Sequence, residues 1–454
     1  MHSLEGADKN YRRDLGDGLI VRWSTEEDTE ELCYLNGHVF RAESNDPPNL
    51  FLMNTMRDIM RGQFPLMGPG DFAVVEDTRR REHPLVASTC LWRQPWSYGG
   101  IPFNIGRPEF VATDEAYRNR GLIRAIFSLI HARSEAEGHL VQAITGIAYF
   151  YRQFGYEYAL DLDVNRKTPL ALVPRLEEGK SEPFTFRDAT LADLPLLQRW
   201  YEQHRSVYAV NTPFDEQWWY DQIRTMPTTQ SDAHWHILII CDTQGTPCGY
   251  VTTSKIRWSS TFKVFDLATA PGVNLQTLVP PLLRELARLG PTVLSPASAP
   301  PLASIAFLLE REHPLYAVMG NTLAIEQGVP YAWYVRVPHL PAFLRSIAPV
   351  LEQRLANSVL AGHSGSLWLT FYRGGLHMAF EQGKLTTIED WQSPTWKSPE
   401  NGGFPPLVFL QLLFGHRSLD DLRYAFPDVW ANDDVVPLLN VLFPRCPSWV
   451  LPLG

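Results

Sequence analysis

The segment Arg118-Asn119-Arg120-Gly121-Leu122-Ile123-Arg124 gathers three guanidinium groups and a glycine within one turn's length of chain. Before it, Glu109–Thr113 reads as a short β-type run. After it, Leu122, Ile126, Leu129 and Ile130 recur at helical spacing until Gly138. The arginines therefore sit where a strand turns into a helix. The unpaired N–H groups and dipole of a helix amino terminus attract anions there. Gly121 lets the backbone approach closely, and the three cations add charge, so a diphosphate is the natural ligand. A second strand, Leu140–Thr145, leads to a short helix carrying Tyr149-Phe150-Tyr151-Arg152-Gln153-Phe154-Gly155-Tyr156. Another strand, Tyr158–Val164, follows it.

The rest of the chain must position that turn. At 454 residues it exceeds one hydrophobic core, so two or three domains are expected. Apolar residues make up 45% and charged residues 20%, which excludes wholesale disorder. A net charge of −10 argues against nucleic acid as a partner and favours cations. No apolar run reaches the roughly 18 residues that span a bilayer, and the amino terminus lacks a signal-peptide stretch. Cys33, Cys90, Cys241, Cys248 and Cys446 are scattered and form no CxxC pair, which points to a reducing, cytoplasmic setting.

Internal similarity divides the chain. Leu19-Ile-Val-Arg22-x-x-Thr25-x-x-Asp28 recurs as Phe184-Thr-Phe-Arg187-x-x-Thr190-x-x-Asp193, 165 residues later. Each is a short strand followed by a helix start, with Thr as cap and Asp in the positive first turn. Pro169–Pro183 reads as a linker, and composition shifts again near Gly328-Val-Pro330. Beyond it come a strand at Tyr331–Val337, a helix over Leu340–Leu355 and strands at Ser366–Tyr372 and Leu376–Glu381. Helices at Pro406–Phe414, Leu419–Ala425 and Val435–Leu442 follow. The fold expected is mixed α/β (α+β) in three domains, at 1–168, 184–328 and 331–454.

The motifs Arg118-Asn-Arg-Gly121-Leu-Ile123 and Tyr151-Arg-Gln-Phe-Gly155-Tyr156 resemble the Gcn5-related N-acetyltransferases (GNAT), which bind acetyl-CoA on such a loop. Ile123, where many members have Gly or Ala, together with the flanking Val111-Ala-Thr and Arg124-Ala, is more similar to the enhanced intracellular survival (Eis) branch. That resemblance implies two tandem GNAT folds, the second degenerate, and a sterol-carrier-like third domain. It also implies that Val111, Ala112 and Thr113 lie along the pantetheine arm and that Asn119–Arg124, with Arg118, cradle the pyrophosphate. Gly146 and Ile147 would line the cofactor, and Tyr151 would be the general acid for the departing thiolate, with Tyr149 as its alternative. An unperturbed phenol, with pKa near ~10, is protonated at pH 7 and can donate. The Eis branch implies the chain's own terminal carboxylate, here Gly454, as the base. Better-known members end in an aromatic residue, and this chain does not. Glu109, two residues before Val111 and so expected on the same strand face, is the rival base, with bulk water as the remaining option.

The second copy serves as a control. Counting as in the first, Asn274 matches Arg118 and Thr277 matches Gly121, so the loop lacks its arginines and glycine, and Pro280-Pro281 interrupt the helix. It is expected not to hold CoA. His234-Trp-His236 lacks a third ligand at a telling spacing, Gly362-His-Ser-Gly365 misses GxSxG by one residue, and no HExxH occurs, so no metal is expected. The acidic run Glu26–Glu31 reads as a solvated helix start that could attract an amine. The aromatic loops around Trp92–Tyr98 and Trp391–Trp396 are candidate cavity walls. Two functions compete: transfer of an acetyl group to a small cationic amine or a lysine, in a possible homo-oligomer, or a non-catalytic carrier of an apolar ligand. The arginine loop, intact once and lost once, favours the enzyme.

Overall fold

In a computed structural model of the chain, both copies of Arg-x-x-Thr-x-x-Asp close the same local knot. Arg22 donates to both oxygens of Asp28 at 2.7 Å, and Arg187 donates to those of Asp193 at 2.8 and 2.7 Å. In each copy the carboxylate also accepts the threonine backbone N–H, from Thr25 and from Thr190, at 2.8 Å. The hydrogen bond from Arg187 holds the Asp193 carboxyl down at about 2. Each knot fixes the entry angle of the helix that follows.

The structure describes residues 4–450 apart from 42, 44, 63–65, 163, 225–234, 296–298, 328–331 and 393–398. Two compact units form, Met1–Leu160 with Ala332–Cys446, and Asp161–Tyr331 with Pro447–Gly454.

The first unit begins with β1 (Arg12–Gly16), β2 (Leu19–Trp23), α1 (Thr29–Val39), α2 (Leu50–Met60), β3 (Phe72–Asp77), β4 (Leu85–Tyr98) and β5 (Ile101–Thr113). It continues with α3 (Leu122–Ala136), β6 (Val141–Ile144) and β7 (Glu157–Asp161). The second unit holds β8 (Val164–Pro169), β9 (Thr185–Asp188), α4 (Leu194–Arg205), β10 (Val210–Asn211), α5 (Glu216–Arg224), β11 (Trp235–Cys241) and β12 (Pro247–Ser254). It ends with β13 (Thr261–Thr269), α6 (Leu275–Leu289), β14 (Ser304–Leu309), α7 (Pro314–Leu323) and β15 (Ile325–Glu326). The chain then re-enters the first unit as β16 (Ala332–Arg336), α8 (Leu340–Ser346), α9 (Ala348–Ala356), β17 (Gly365–Thr370), β18 (Gly375–Glu381) and β19 (Lys384–Trp391). The last elements are β20 (Gly402–Gly403), α10 (Phe409–Leu413), α11 (Leu419–Ala425), β21 (Trp430–Ala431) and α12 (Val436–Leu442). The mixed α/β class expected from the sequence is the one observed.

In the first unit the strands run β1-β2-β3-β4-β5-β6-β16-β7. Antiparallel pairs lead up to β5, which pairs in parallel with β6. Strand β16 lies antiparallel to β6, through Tyr334 opposite Ile144 and Arg336 opposite Gln142. Helix α3 lays Leu122, Ile126, Leu129 and Ile130 against Val21, Val75, Ala87 and Leu91 of the sheet. Each such burial contributes ~1.5–3 kcal/mol. The segment after β16 adds a second sheet, β19-β18-β17-β20-β21. In the second unit the order is β15-β8-β14-β13-β12-β11-β9, with β13 and β14 parallel. Both units thus repeat one sequence of elements: three antiparallel strands, a long helix and a parallel strand.

Some expectations are corrected. The helix foreseen over 340–355 is two helices parted at Ile347, whose ψ of 5° leaves the helical region. Strands β1, β3 and β19 were not foreseen, and the loop expected at Trp92–Tyr98 is the end of strand β4, with Trp96 and Tyr98 buried in packing. No helix among the described residues is long and apolar enough to cross a membrane.

Candidate active site

Strands β5 and β6 pair only at Ile105 with Val141 and at Gly106 with Gln142. Beyond those residues they part, and β6 turns to β16 while β5 runs on to Thr113. Part of the cause is a bulge in β5. Across from β4, Ser88 faces Ala112 and Cys90 faces Glu109, so β5 holds one extra residue, and Phe110 adopts φ 52°. The bulge corrects one expectation. Glu109 shares its face with Ala112, opposite Ser88 and Cys90, and not with Val111. There its Oε1 accepts from Arg107 at 3.2 and 2.7 Å, while Arg107 also donates to Gln94 at 2.7 Å. Burial raises the Glu109 carboxyl above its ordinary value against the pull of Arg107. Val111 and Thr113 are half-buried and Ala112 is buried at the end of the strand.

The turn from β5 to α3 is pinned from below. Asp114 accepts from Arg80 at 3.0 Å, and Tyr117 donates to Asp77 at 2.8 Å. Above these anchors Arg118, Asn119, Arg120 and Gly121 are exposed. Asn119 and Gly121 have φ of 62° and 76°. Gly121 is the N-cap of α3, no side chain caps that helix, and a Cβ at Gly121 would meet nothing within 4 Å. The first N–H groups of α3 therefore point at an open cradle. Arg118 reaches Glu115 only at 3.5 Å and Arg120 reaches Asp17 only at 3.8 Å. Arg124 donates to Gln153 at 3.2 Å. Such exposed, loosely held cations are easily redirected to an incoming anion. Leu122 is buried, and Ile123 packs half-buried against the core beneath α3, which accounts for a bulky residue there.

At the end of β6, Gly146 has φ 131°, and a Cβ on it would stand 3.5 Å from the Tyr151 hydroxyl. Gly146 and Ile147 are exposed. Tyr151 is 3% exposed, on the short 3₁₀ turn Phe150–Phe154, its ring between Phe127 at 5.8 Å and Tyr334 at 5.4 Å. Tyr149 is 71% exposed and offers no packed, oriented hydroxyl. A tyrosine chain not foreseen from the sequence braces this corner. The Tyr149 N–H donates to Tyr158 Oη at 2.8 Å, and the Tyr158 and Tyr334 hydroxyls lie 2.6 Å apart. Tyr334 donates to the Ile147 carbonyl at 3.0 Å. No motif marks Tyr334, because β16 reaches β6 only in the folded chain.

The structure thus brings Val111–Thr113, Arg118–Arg124, Gly146, Ile147 and Tyr151 to the same end of the parting strands. Gly454 lies outside the described residues, as do His234 and most of the Trp391–Trp396 loop. His236 bonds to Asp188 at 2.8 Å. The acidic run is engaged structurally, with Asp28 on Arg22, Glu30 on Arg57 at 2.8 Å and Glu31 near His83 at 3.2 Å.

The turn before α6 corrects the count made from the sequence. Helix α6 starts at Leu275, six residues after Thr269, whereas α3 starts nine residues after Thr113. The turn is three residues shorter, so Asn274 takes the place of Gly121 and not that of Arg118. Its side chain accepts the Thr277 N–H at 3.2 Å.

Residues 21–159 match the acetyltransferase (GNAT) domain family. None of the curated proteins compared with the chain matches it. Among solved structures, a GCN5-related N-acetyltransferase from Anabaena variabilis is similar with a TM-score of 0.64 at 13% identity, over 95% of this chain and 99% of that one. A probable N-acyltransferase from Enterococcus faecalis gives 0.65 at 16%, over 95% and 98%. Eis1 from Mycobacterium abscessus gives 0.56 at 13%, over 94% and 97%.

Proposed function

The chain belongs to the GNAT N-acetyltransferase superfamily, with the acetyltransferase domain at residues 21–159 and a full-length fold like that of Eis1, and from that premise we propose that it transfers the acetyl group of acetyl-CoA to the primary amine of a small cationic molecule or a lysine. The observation that carries this reading is the uncapped amino terminus of α3. Its donors, with Arg118, Arg120 and Arg124 around them, fit a pyrophosphate. Val111–Thr113, on the edge of β5 that β6 leaves, offer backbone groups to the pantetheine amides. Gly146 and Ile147 offer a surface on the other strand.

Acetyl-CoA supplies an acyl group already activated as a thioester. The protein's part is to hold and move protons. Tyr151, packed in place by Phe127 and Tyr334, keeps its hydroxyl proton for the departing sulfur. The amine must arrive neutral, and the groups proposed to take its proton are the Gly454 carboxylate and Glu109. Glu109 keeps one oxygen on Arg107 and 14% of its side chain exposed, which leaves it reachable through water. The bulge turns Glu109 from the Val111 face, so Glu109 would take the proton through water and not by direct contact. The second unit, with its capped helix, is proposed as a degenerate copy that holds no CoA, and residues 331–454 as a sterol-carrier-like domain.

Thermal melting tests the reading. At acetyl-CoA 100-fold above its Kd the chain gains about 2.7 kcal/mol, seen as a higher Tm. An unchanged Tm at millimolar acetyl-CoA rejects the enzyme and leaves the carrier.

A further inference from the structure

The turn that leads into Tyr151 is held by a strand from outside the acetyltransferase domain. Residues 21–159 match that domain, whereas β16 comes from Ala332–Arg336 and lies antiparallel to β6, with Tyr334 opposite Ile144. Side chains alternate across a strand, so the fully buried Trp333 and Tyr334 serve opposite faces of the sheet. On one face the Trp333 ring lies 4.4 Å from the Arg107 guanidinium. On the other, Tyr334 stands at the corner where β6 ends. Arg336 pins the strand two residues further on, donating to Gln142 at 2.5 Å and to Glu135 at 3.0 Å.

Several contacts converge on Tyr334. Its hydroxyl donates to the Ile147 carbonyl at 3.0 Å. It also lies 2.6 Å from the Tyr158 hydroxyl, whose oxygen accepts the Tyr149 N–H at 2.8 Å. The two hydroxyls thus tie down the backbone at 147 and at 149, the residues that lead into Tyr151. The Tyr334 ring meets that of Tyr151 nearly edge to face, at 5.4 Å and 77°, and stacks on Tyr158 at 4.1 Å. The stretch needs such ties. Gly146 and Tyr149 have φ of 131° and 63°, and a bulky residue in the left-handed region persists only where its surroundings impose it. Ile147 and Tyr149 are 65% and 71% exposed, so burial of their own side chains contributes little to fixing them.

We propose that Tyr334 is a positioning residue for acetyl transfer, which sets the turn from Gly146 to Tyr151 and the ring of Tyr151 so that the Tyr151 hydroxyl meets the departing sulfur. This role rests on the reading of Tyr151 as the acid. Tyr334 touches neither cofactor nor acceptor and acts through Tyr151 alone. A misplacement of about 1 Å at such a group costs on the order of 10²-fold in rate, which leaves room for a large effect from a residue behind the site.

The test is a cycle of full-length chains: wild type, Y334F, Y151F and the double variant. Each is assayed for thiol release from acetyl-CoA with spermidine, kanamycin and polylysine, and melted with acetyl-CoA. In Y334F kcat should fall about tenfold or more, with the KM for acetyl-CoA and the melting shift close to wild type because the Arg118–Arg124 turn is untouched. In the Y151F background the same change should cost nothing further, since its route to the chemistry is gone. The same fall in both backgrounds, or no fall in either, overturns the proposal. If Y334F does not fold, Y158F removes the other hydroxyl of the pair and carries the same cycle. If acetyl-CoA binds but none of the three amines is turned over, NMR of chains labelled with ¹³Cζ-tyrosine decides. The Tyr151 line, assigned by its loss in Y151F, should move in Y334F, and an unmoved line overturns the proposal. A wild-type chain whose Tm does not respond to acetyl-CoA rejects the enzyme reading itself and the role of Tyr334 with it.

Discussion

Helices α3 and α6 hold the same place in their units, each between the last antiparallel strand and its parallel partner, yet their amino termini are finished in opposite ways. At α3 the N-cap is Gly121, which has no side chain to offer, and Arg118, Arg120 and Arg124 flank it in the chain. At α6 the N-cap is Asn274, whose side chain takes the Thr277 N–H. The preceding turn is short and carries no basic residue, and Pro280 and Pro281 lie within the helix. An Asn N-cap stabilises a helix by a few tenths of a kcal/mol more than a Gly N-cap. The second unit has taken that stability, and the first has left its donors unmet. A helix end left open suits the anion site proposed for it, and the same fold with the end sealed shows that the architecture does not require the opening.

The comparison can be broken in graded ways. The largest effect is expected from Tyr151→Phe, which leaves the cradle intact and removes the proton. Turnover should fall ~10²–10⁴-fold while the acetyl-CoA melting shift persists, and steady-state rates beside melting curves separate the two. Unchanged turnover would remove Tyr151 from the acid role. Next comes the double variant Arg120→Gln with Arg124→Gln. Acetyl-CoA affinity should weaken about 10- to 100-fold, read by calorimetric titration, with the ligand-free Tm nearly unmoved because both side chains are exposed. The smallest effect belongs to the sealed end. Asn274→Ala should lose ~0.5–2 kcal/mol of stability in urea unfolding and leave acetyl-CoA affinity unchanged. A weaker affinity in that variant would mean the second unit takes part in cofactor binding after all.

What could be read from the sequence was local. The strand, turn and helix around Arg118–Ile130, and the two helix starts at Thr25 and Thr190, are made by residues within a few positions of one another, and so they were legible, although the Arg–Asp pairs that tie those starts were not foreseen. The bulge at Phe110 was not, although Pro108 inside the strand is a signal for one, and one inserted residue reversed the expected face of Glu109. The shortened turn before α6 escaped for a similar reason: a count along the chain assumes equal loops. Tyr334 was out of reach, since its partners Tyr158 and Ile147 lie 176 and 187 residues away in sequence, and pairing at that distance is set by the folded sheet alone.

Strand β16 has a consequence for how the protein is made. It lies between β6 and β7, and it is synthesised only after the whole second unit. A nascent chain ending near residue 160 has every residue of the Arg118–Arg124 turn but leaves the edge of β6 unpaired and Tyr151 without the ring of Tyr334. At an elongation rate of ~5–20 residues per second, that edge waits on the order of ten seconds before its partner emerges. During that interval the first unit is open to wrong pairing. The sheet can close only after that, through a contact of long sequence separation, a slow kind to form.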